Sequence, residues 1–284
     1  MLPGAMSSRR MAIAVAAAVG CAAALPVLVT SAPADAASSA HIAHAASSVR
    51  YVALGDSYSA GLGAGKYIAA SGSCDRSTNA YSALWDNANK PASYTSVACA
   101  GATTSTVLSS QISALSTATT LVSITIGGND VGFSSAMETC VLSFTDTCVR
   151  AIGAAESKMA SQLPGELDGV LNAIAATAPN ARVVVLGYPH LYDIGRSAGC
   201  IGLSATDRTD LNQAADLLDG QIQAAAFRHD NVFGDVRSAF AAHEICDSAS
   251  WLHSVNFFDL SESYHPAAAG QAGGYLPVLS ASAG

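Results

Sequence analysis

The sequence has few charged side chains, few aromatic ones and an excess of acidic over basic residues. Only 12% of its 284 residues are charged and 6% are aromatic. Its 13 basic and 21 acidic side chains give a net charge of −8, which excludes the concentrated positive surface of a nucleic-acid binder. An apolar content of 50% excludes an intrinsically disordered chain, because such chains are poor in hydrophobic residues and rich in charge.

The densest apolar run lies at the amino terminus and has the pattern of a secretory signal peptide. Arg9 and Arg10 precede an uncharged run over residues 11–30, and Ala34-Asp35-Ala36 has the A-x-A pattern of a cleavage site. A membrane anchor is the alternative, because the run is nearly long enough to cross a bilayer. Its alanine-rich composition and the cleavage pattern favour a removable signal, by either the Sec or the Tat route. We therefore predict secretion after cleavage near Ala36.

Beyond this signal, the chain is long enough for one domain with a sizeable core. Residues 37–49 are rich in alanine, serine and histidine without periodicity, and we expect a disordered lead-in there. Residues 50–284 are then the folded domain.

Cysteine usage agrees with export. Outside the signal, six cysteines remain, and an even number in an exported protein is typical of three disulfides: Cys74, Cys99, Cys140, Cys148, Cys200 and Cys246. Their order favours the neighbouring pairs 74–99, 140–148 and 200–246 as the least entangled. A zinc site with His243 and Cys246 as ligands is the competing interpretation. The sequence contains no C-x-x-C or H-E-x-x-H spacing, so disulfides are favoured and no metal is expected.

Strand-like and helix-like patterns alternate along the domain. Short runs rich in β-branched or aromatic residues occur at 50–54, 94–97, 121–126, 182–186 and 231–236. Helical apolar spacing occurs over 107–115 and 167–174, and again after Ser204, where Asp207 completes a variant of the capping box. Strands that alternate with helices predict a doubly wound α/β fold with a parallel sheet.

Four loops that follow the predicted strands contain the residue types of an acyl-transfer site. In doubly wound sheets, ligands bind outside the carboxyl ends of the strands. Ser57 supplies a hydroxyl nucleophile and a backbone N–H at the start of a helix, and His265 can act as its base. Gly101 lets a backbone N–H approach a substrate closely, and Asn129 supplies a neutral amide donor. Each residue alone is common in turns, but their order after successive strands favours a shared site.

These residues also carry a family resemblance. Gly55-Asp56-Ser57, Gly101, Gly127-Gly128-Asn129-Asp130 and His265-Pro266 resemble the four sequence blocks of the SGNH (GDSL-type) hydrolases, over about residues 50–280. Gly187-Tyr188-Pro189, Gly270-Gln271 and the six cysteines are most similar to secreted actinobacterial GDSL lipases, esterases and phospholipases.

The resemblance implies a single-domain, three-layer α/β/α fold around a five-stranded parallel, flavodoxin-like sheet. It also implies a cofactor-free serine ester hydrolase, with Ser57 as the nucleophile and His265 as the base. The oxyanion hole would then consist of Ser57, Gly101 and Asn129.

The last sequence block departs from the family pattern. Many members have aspartate three residues before the histidine, whereas this chain has Glu262. Glu262 can orient the imidazole as aspartate does, because either carboxylate accepts the ring N–H. In similar secreted enzymes a main-chain carbonyl takes that place, which leaves a Ser–His dyad. Both alternatives remain open at this stage.

The expected substrate is an acyl-lipid ester, cleaved through an acyl-enzyme on Ser57. A carbohydrate acetylesterase and a non-catalytic exported binding module are the alternatives. We expect a monomer that contacts a lipid interface at most transiently. Side chains before His265 are candidates for an acyl pocket, with ordinary packing as the alternative: Trp251, His253, Phe257 and Phe258.

Overall fold

The computed structural model describes residues 48–196 and 203–284. A five-stranded sheet lies at its centre, with the strands β1 (Arg50–Gly55), β2 (Ser93–Ser96), β3 (Leu121–Thr125), β4 (Arg182–Leu186) and β5 (Val232–Gly234). All pairs are parallel, and the strands lie in the order β2-β1-β3-β4-β5. This is the flavodoxin-like order, so the predicted fold class is confirmed.

Burial explains why the central strands have nearly continuous apolar sequences. Every residue of β3 is buried, and in β1 and β4 only the first residue is exposed. A parallel sheet needs such strands because helices cover both of its faces. The edge strand β2 has its predicted length and begins one residue earlier than predicted, whereas the other edge strand, β5, is shorter than predicted. After Gly234, Asp235 accepts a hydrogen bond from the backbone N–H of Arg237 and turns the chain, which ends β5 early.

Helices cover the sheet in two layers. Among the described residues they are α1 (Ser57–Ala60), α2 (Tyr81–Asn89), α3 (Thr104–Thr106), α4 (Phe133–Leu142), α5 (Thr145–Ser161), α6 (Leu163–Thr177), α7 (Ala205–Arg228), α8 (Arg237–Phe240), α9 (Ala268–Gly270) and α10 (Leu276–Ala283). Helices α5, α6 and α7 pack together on one side, while α2 packs with α10 on the other. No helix within the described ranges has the length and apolar character needed to span a bilayer.

The longest helix begins where the sequence predicts. Ser204 caps α7 by accepting from the backbone N–H of Asp207, and the Asp207 side chain bonds back to the backbone of Ser204. The predicted apolar stripe is buried along the helix: Leu211, Ala214, Leu218, Ile222 and Ala226. Residues 167–174 form part of α6, and their predicted apolar stripe is buried as well.

The predicted helix over residues 107–115 is broken into a wide turn and a 3₁₀ turn. The cause is Gln111, whose side chain turns inward and is 2% exposed. Its amide accepts from the N–H of Gly55 at 2.7 Å and donates to the carbonyl of Gly55 at 2.9 Å. Leu108, which belonged to the predicted apolar stripe, is instead 44% exposed. The sequence pattern did not reveal this bond, which fixes the carboxyl end of β1 beside Ser57.

Candidate active site

Ser57 is the first residue of α1, directly after β1. The carboxylate of Asp56 caps this helix by accepting from the N–H of Tyr58 at 3.0 Å. The N–H of Ser57 lies in the first turn, where a helix offers no acceptor, so it remains available to a ligand. The Ser57 hydroxyl lies 2.7 Å from Nε2 of His265, within hydrogen-bonding distance. The two residues, 208 positions apart in the chain, are therefore in direct contact.

The other ring nitrogen of His265 contacts a main-chain carbonyl. Nδ1 lies 3.0 Å from the carbonyl oxygen of Ser263, so the tautomer protonated on Nδ1 donates there and leaves Nε2 free to accept from Ser57. Burial disfavours the charged imidazolium and, together with the nearby imidazole of His253, lowers the pKa of His265 to about 4, although the bond to the Ser263 carbonyl acts in the opposite direction. The ring is thus neutral, and able to accept a proton, at neutral pH.

The backbone before His265 is held in an unusual conformation. Tyr264 has φ +65°, in the left-handed region that costs energy for a residue with a bulky side chain. Its carbonyl accepts from the hydroxyl of Tyr58 at 2.7 Å, and its N–H donates to the carbonyl of His253 at 3.0 Å. The hydroxyl of Tyr192 donates to that of Tyr264 at 3.0 Å. These bonds hold the turn that aims the imidazole of His265 at Ser57.

The carboxylate of Glu262 bonds to side chains other than this imidazole. Its Oε1 accepts from the hydroxyl of Tyr67 at 2.5 Å, and its Oε2 accepts from the side-chain amide of Asn256 at 3.3 Å. Of the two alternatives for the partner of His265, the geometry therefore offers the carbonyl of Ser263 rather than the carboxylate of Glu262.

Gly101 and Asn129 lie on the same cleft as Ser57 and His265. Gly101 has φ +75°, and no atom lies within 4 Å of where a Cβ would stand, so its backbone is open to a ligand. The side-chain amide of Asn129 donates to the carbonyl of Ala102 at 2.9 Å, which ties it to the Gly101 loop. One of its two N–H groups remains for a substrate. The backbone N–H of Gly101, the remaining side-chain N–H of Asn129 and the backbone N–H of Ser57 form a set of neutral donors.

Two further contacts hold the donor loops in place. The carboxylate of Asp130 accepts from the N–H of Thr104 at 2.9 Å and from its hydroxyl at 2.6 Å. The disulfide between Cys74 and Cys99 lies just before Gly101 in the chain. Both contacts restrict the Gly101 loop, so its N–H is positioned before a substrate arrives.

A buried polar network behind Ser57 was not anticipated from the sequence. Asp56 is 2% exposed, and its carboxylate accepts from the hydroxyls of Thr125, at 2.6 Å, and Tyr188. The Tyr188 hydroxyl in turn accepts from the N–H of Gly128 at 3.3 Å. Burial raises the pKa of Asp56 to about 6, although these bonds favour the charged form. The network connects the Ser57 turn to the loop that carries Asn129.

Tyr188 itself is held from the other side by a second buried carboxyl group. The backbone N–H of Tyr188 donates to Asp219 at 2.8 Å, and burial raises the pKa of Asp219 to about 8. Asp219 lies on α7 directly after the buried Leu218. The only sequence signal for a buried Asp219 was its position next to the apolar stripe of α7.

The cleft above the reactive pair has a volume of about 630 Å³ and mainly apolar walls. One wall belongs to α4 and includes Met137 and Leu142, and the other includes Val255, Phe257 and Leu260. This cleft is large enough for a substantial apolar ligand.

Of the candidates for an acyl pocket, only Phe257 lines this cleft. Trp251 stacks on His243 with ring centroids 3.7 Å apart, and the ring of His253 bonds the carbonyl of Gly63 at 2.8 Å. Phe258 is fully exposed to solvent.

The cysteines form disulfides where both partners are described. Cys74 pairs with Cys99 and Cys140 with Cys148, as their order favoured. Cys246 is also disulfide-bonded, and its expected partner Cys200 lies outside the described residues. The zinc interpretation loses its thiolate ligand here. Within the described ranges, no cluster of three or more His, Cys, Asp or Glu residues is placed to hold a metal ion.

Comparison with known proteins connects this geometry to a family. The model of the GDSL-like lipase/acylhydrolase family matches residues 53–272, a span that contains Ser57, Gly101, Asn129 and His265. This chain belongs to the GDSL-like lipase/acylhydrolase family. Its expected membership is thus confirmed, and so is its assignment as a carboxylic ester hydrolase.

Relatives of this GDSL-like acylhydrolase occur in Streptomyces. Lipase 1 of Streptomyces coelicolor is 52% identical over 257 residues, which are 90% of this chain and 95% of the relative. The crystal structure of phospholipase A1 from Streptomyces albidoflavus NA297 superposes with a TM-score of 0.81 and 51% identity. The match covers 83% of this chain and 99% of the phospholipase chain. The crystal structure of an extracellular lipase from Streptomyces rimosus superposes with a TM-score of 0.80 and 47% identity. The match covers 82% of this chain and 99% of that lipase chain.

Proposed function

We propose that this acylhydrolase cleaves acyl-lipid esters through an acyl-enzyme on Ser57. The observation that carries the proposal is the 2.7 Å contact between the Ser57 hydroxyl and Nε2 of His265, on a mainly apolar cleft. The low pKa of His265 supports it, because the base must be neutral before it can accept a proton.

The acylation step uses atoms that are already in contact. The Ser57 oxygen attacks the ester carbonyl carbon as its proton passes to Nε2 of His265, and the C=O π electrons move to the carbonyl oxygen. The carbonyl of Ser263 accepts the N–H on the far side of the ring and stabilises the imidazolium that forms. When the tetrahedral intermediate collapses, the ester C–O bond breaks and Nε2 returns the proton to the leaving alkoxide. Water then repeats the sequence on the acyl-enzyme and releases the fatty acid.

We infer that the developing oxyanion is stabilised by three neutral donors. These are the backbone N–H groups of Ser57 and Gly101 and the side-chain amide of Asn129. Because the Gly101 and Asn129 loops are fixed by bonds to each other, the donors need little reorganisation as charge develops.

The cleft favours a long acyl group over acetyl. An acetyl group would fill only a small part of about 630 Å³, whereas a fatty acyl chain buries apolar surface along both walls. The named activities of the relatives, lipase and phospholipase A1, agree with this choice.

We also propose that the protein is secreted as a monomer. The arginine pair, apolar run and A-x-A pattern in residues 1–36 support cleavage near Ala36, and one relative is an extracellular lipase. Residues 37–49 then precede a catalytic domain over 50–284. Mass spectrometry of the protein collected from culture medium measures the new amino terminus, and sedimentation measures its oligomeric state.

Replacement of Ser57 tests the mechanism. Ser57→Ala should abolish ester turnover and labelling by a fluorophosphonate probe while leaving the circular dichroism spectrum unchanged. Ser134→Ala is the matched control, because Ser134 lines the same cleft without contacting His265. Labelling of the Ser57→Ala protein at the wild-type rate would disprove the assignment of the nucleophile.

The substrate class is tested with acetyl, octanoyl and palmitoyl esters and with acetylated xylan. We expect the highest kcat/KM on the longer acyl esters. A preference for acetyl esters and deacetylation of xylan would instead support the carbohydrate acetylesterase alternative.

A further inference from the structure

Large apolar side chains stand exposed on both sides of the cleft mouth. On the α4 side, Leu142 is 74% exposed and Phe144 is 89% exposed. On the other side, Phe257, Phe258 and Leu260 are 81%, 104% and 66% exposed. Leu142, Phe257 and Leu260 also line the cleft that contains Ser57. We call these five residues the rim patch. Soluble proteins rarely leave such a group exposed unless it contacts another surface.

The structure holds both parts of the rim patch in this outward position. Leu142 and Phe144 lie within the short loop closed by the disulfide between Cys140 and Cys148. The opposite loop is organised by Asn256, whose side-chain oxygen accepts from the N–H of Phe258 at 3.1 Å and whose own N–H donates to the Ser263 hydroxyl at 2.9 Å. A disulfide in one segment and polar bonds of the backbone in the other, rather than burial of the rings, thus fix these segments. A partner surface would therefore meet segments whose backbone is already fixed.

The charge around the rim patch indicates which surface fits. Residues 137–149 and 252–266 contain no lysine or arginine, and their acidic residues are Glu138, Asp146, Asp259 and Glu262. The guanidinium of Arg150 reaches into the first segment, where it donates to the Thr147 hydroxyl at 3.0 Å. An anionic surface would be repelled by these four carboxylates, which outnumber the guanidinium of Arg150. An uncharged or zwitterionic surface meets only the apolar side chains.

We propose that the rim patch docks this enzyme onto an uncharged or zwitterionic lipid surface. In that orientation the cleft opens toward the lipid, and an ester can reach Ser57 without crossing water. The inference rests on the proposed function, because it assumes that the substrate lies in a lipid surface. It adds the face that binds this surface and the headgroup charge that the face accepts.

The test compares binding with turnover in separate assays. Binding to phosphatidylcholine vesicles is measured by flotation in the Ser57→Ala background, so that no lipid is consumed. Turnover is measured on a water-soluble short-chain ester. Phe144→Ser combined with Phe258→Ser removes one side chain from each side of the rim patch, and neither residue lines the cleft. Phe227→Ser is the matched control, because Phe227 is 61% exposed at the end of α7 that leads into the amino end of β5, whereas Ser57 and its cleft follow the carboxyl ends of the parallel strands.

The double variant should need at least tenfold more phosphatidylcholine for half-maximal binding, and its kcat/KM on the soluble ester should stay within twofold of wild type. The Phe227→Ser variant should behave as wild type in both assays. Vesicles that contain phosphatidylglycerol should bind more weakly than phosphatidylcholine alone.

Three results would overturn the proposal while soluble-ester turnover remained intact. They are unchanged vesicle binding by the double variant, tighter binding to anionic vesicles, and a wild-type dimer that the double variant converts to a monomer. Loss of soluble-ester turnover in the wild type would contradict the proposed function instead, and the two failures are therefore distinguishable.

Discussion

Replacing Glu262 with glutamine tests how the imidazole of His265 is oriented. In an acyl-transfer triad, replacing the carboxylate that orients the histidine lowers kcat by roughly 10⁴. Here Glu262 accepts hydrogen bonds from Tyr67 and Asn256, and the imidazole donates to the Ser263 carbonyl. Glu262→Gln should therefore leave the catalytic pair in contact.

The expected loss follows from the bonds that Glu262 makes. The stronger one is the 2.5 Å bond from Tyr67, whose hydroxyl also accepts from the N–H of Gly63 at 2.9 Å. Gly63 packs beside His265, because a Cβ added to Gly63 would stand only 3.0 Å from the Cβ of the histidine. Weakening one solvated hydrogen bond costs about 1 kcal/mol, so kcat should fall by no more than roughly fivefold.

The assay is steady-state hydrolysis of a water-soluble ester, with Tyr67→Phe as the comparison. That variant removes the same bond from the other side, together with the bond that the hydroxyl accepts from the N–H of Gly63, and leaves the carboxylate of Glu262 in place. Tyr67→Phe should therefore lose at least as much kcat as Glu262→Gln. The double variant should lose about as much as Tyr67→Phe alone, because the shared bond is already absent there. A loss of a thousandfold or more in Glu262→Gln alone, with the fold intact, would refute the assignment of Ser263 as the partner of His265.

Three further predictions concern pH, the disulfide and the buried network. Because its pKa is lowered, His265 stays neutral in mild acid, so kcat/KM on a soluble ester should stay level as pH falls below 6.5 and decline only near pH 4. Recovery of activity after return to neutral pH serves as the control for unfolding. A decline centred at pH 6.5 would contradict the assignment of His265 as the base. Removing the Cys74–Cys99 disulfide by double alanine substitution should lower the free energy of unfolding in urea by about 3–4 kcal/mol, because the bridge closes a loop of 25 residues. Tyr188→Phe should destabilise the protein by about 1–3 kcal/mol, because the buried carboxylate of Asp56 loses a donor. Because the folded protein raises the pKa of Asp56 to about 6, ionisation of this group lowers the free energy of unfolding as pH rises from about 4 through 6. The Tyr188 hydroxyl stabilises the ionised form, so Tyr188→Phe should lower the free energy of unfolding more at pH 7 than at pH 4. An equal loss at both pH values would be inconsistent with this reasoning.

Local sequence patterns predicted much of the fold. The strands at 50–54 and 182–186 were placed correctly at their first residues, and the capping box at Ser204 marked the start of α7. These features depend on neighbours a few residues apart, so periodicity and cap chemistry are sufficient to locate them. The break after Thr106 was missed, because it depends on a bond between Gln111 and Gly55 that spans 56 positions.

The order of the strand-end motifs by itself determined which residues form the candidate site. Parallel strands bring their carboxyl ends to one edge of the sheet, so Ser57, Gly101, Asn129 and His265 had to converge once the alternating pattern was recognised. Only the tertiary structure decided whether the Glu262 carboxylate or the Ser263 carbonyl contacts the imidazole. The physical reason is that both are close to His265 in sequence, and the left-handed turn at Tyr264, held by a hydroxyl 206 positions away, selects between them.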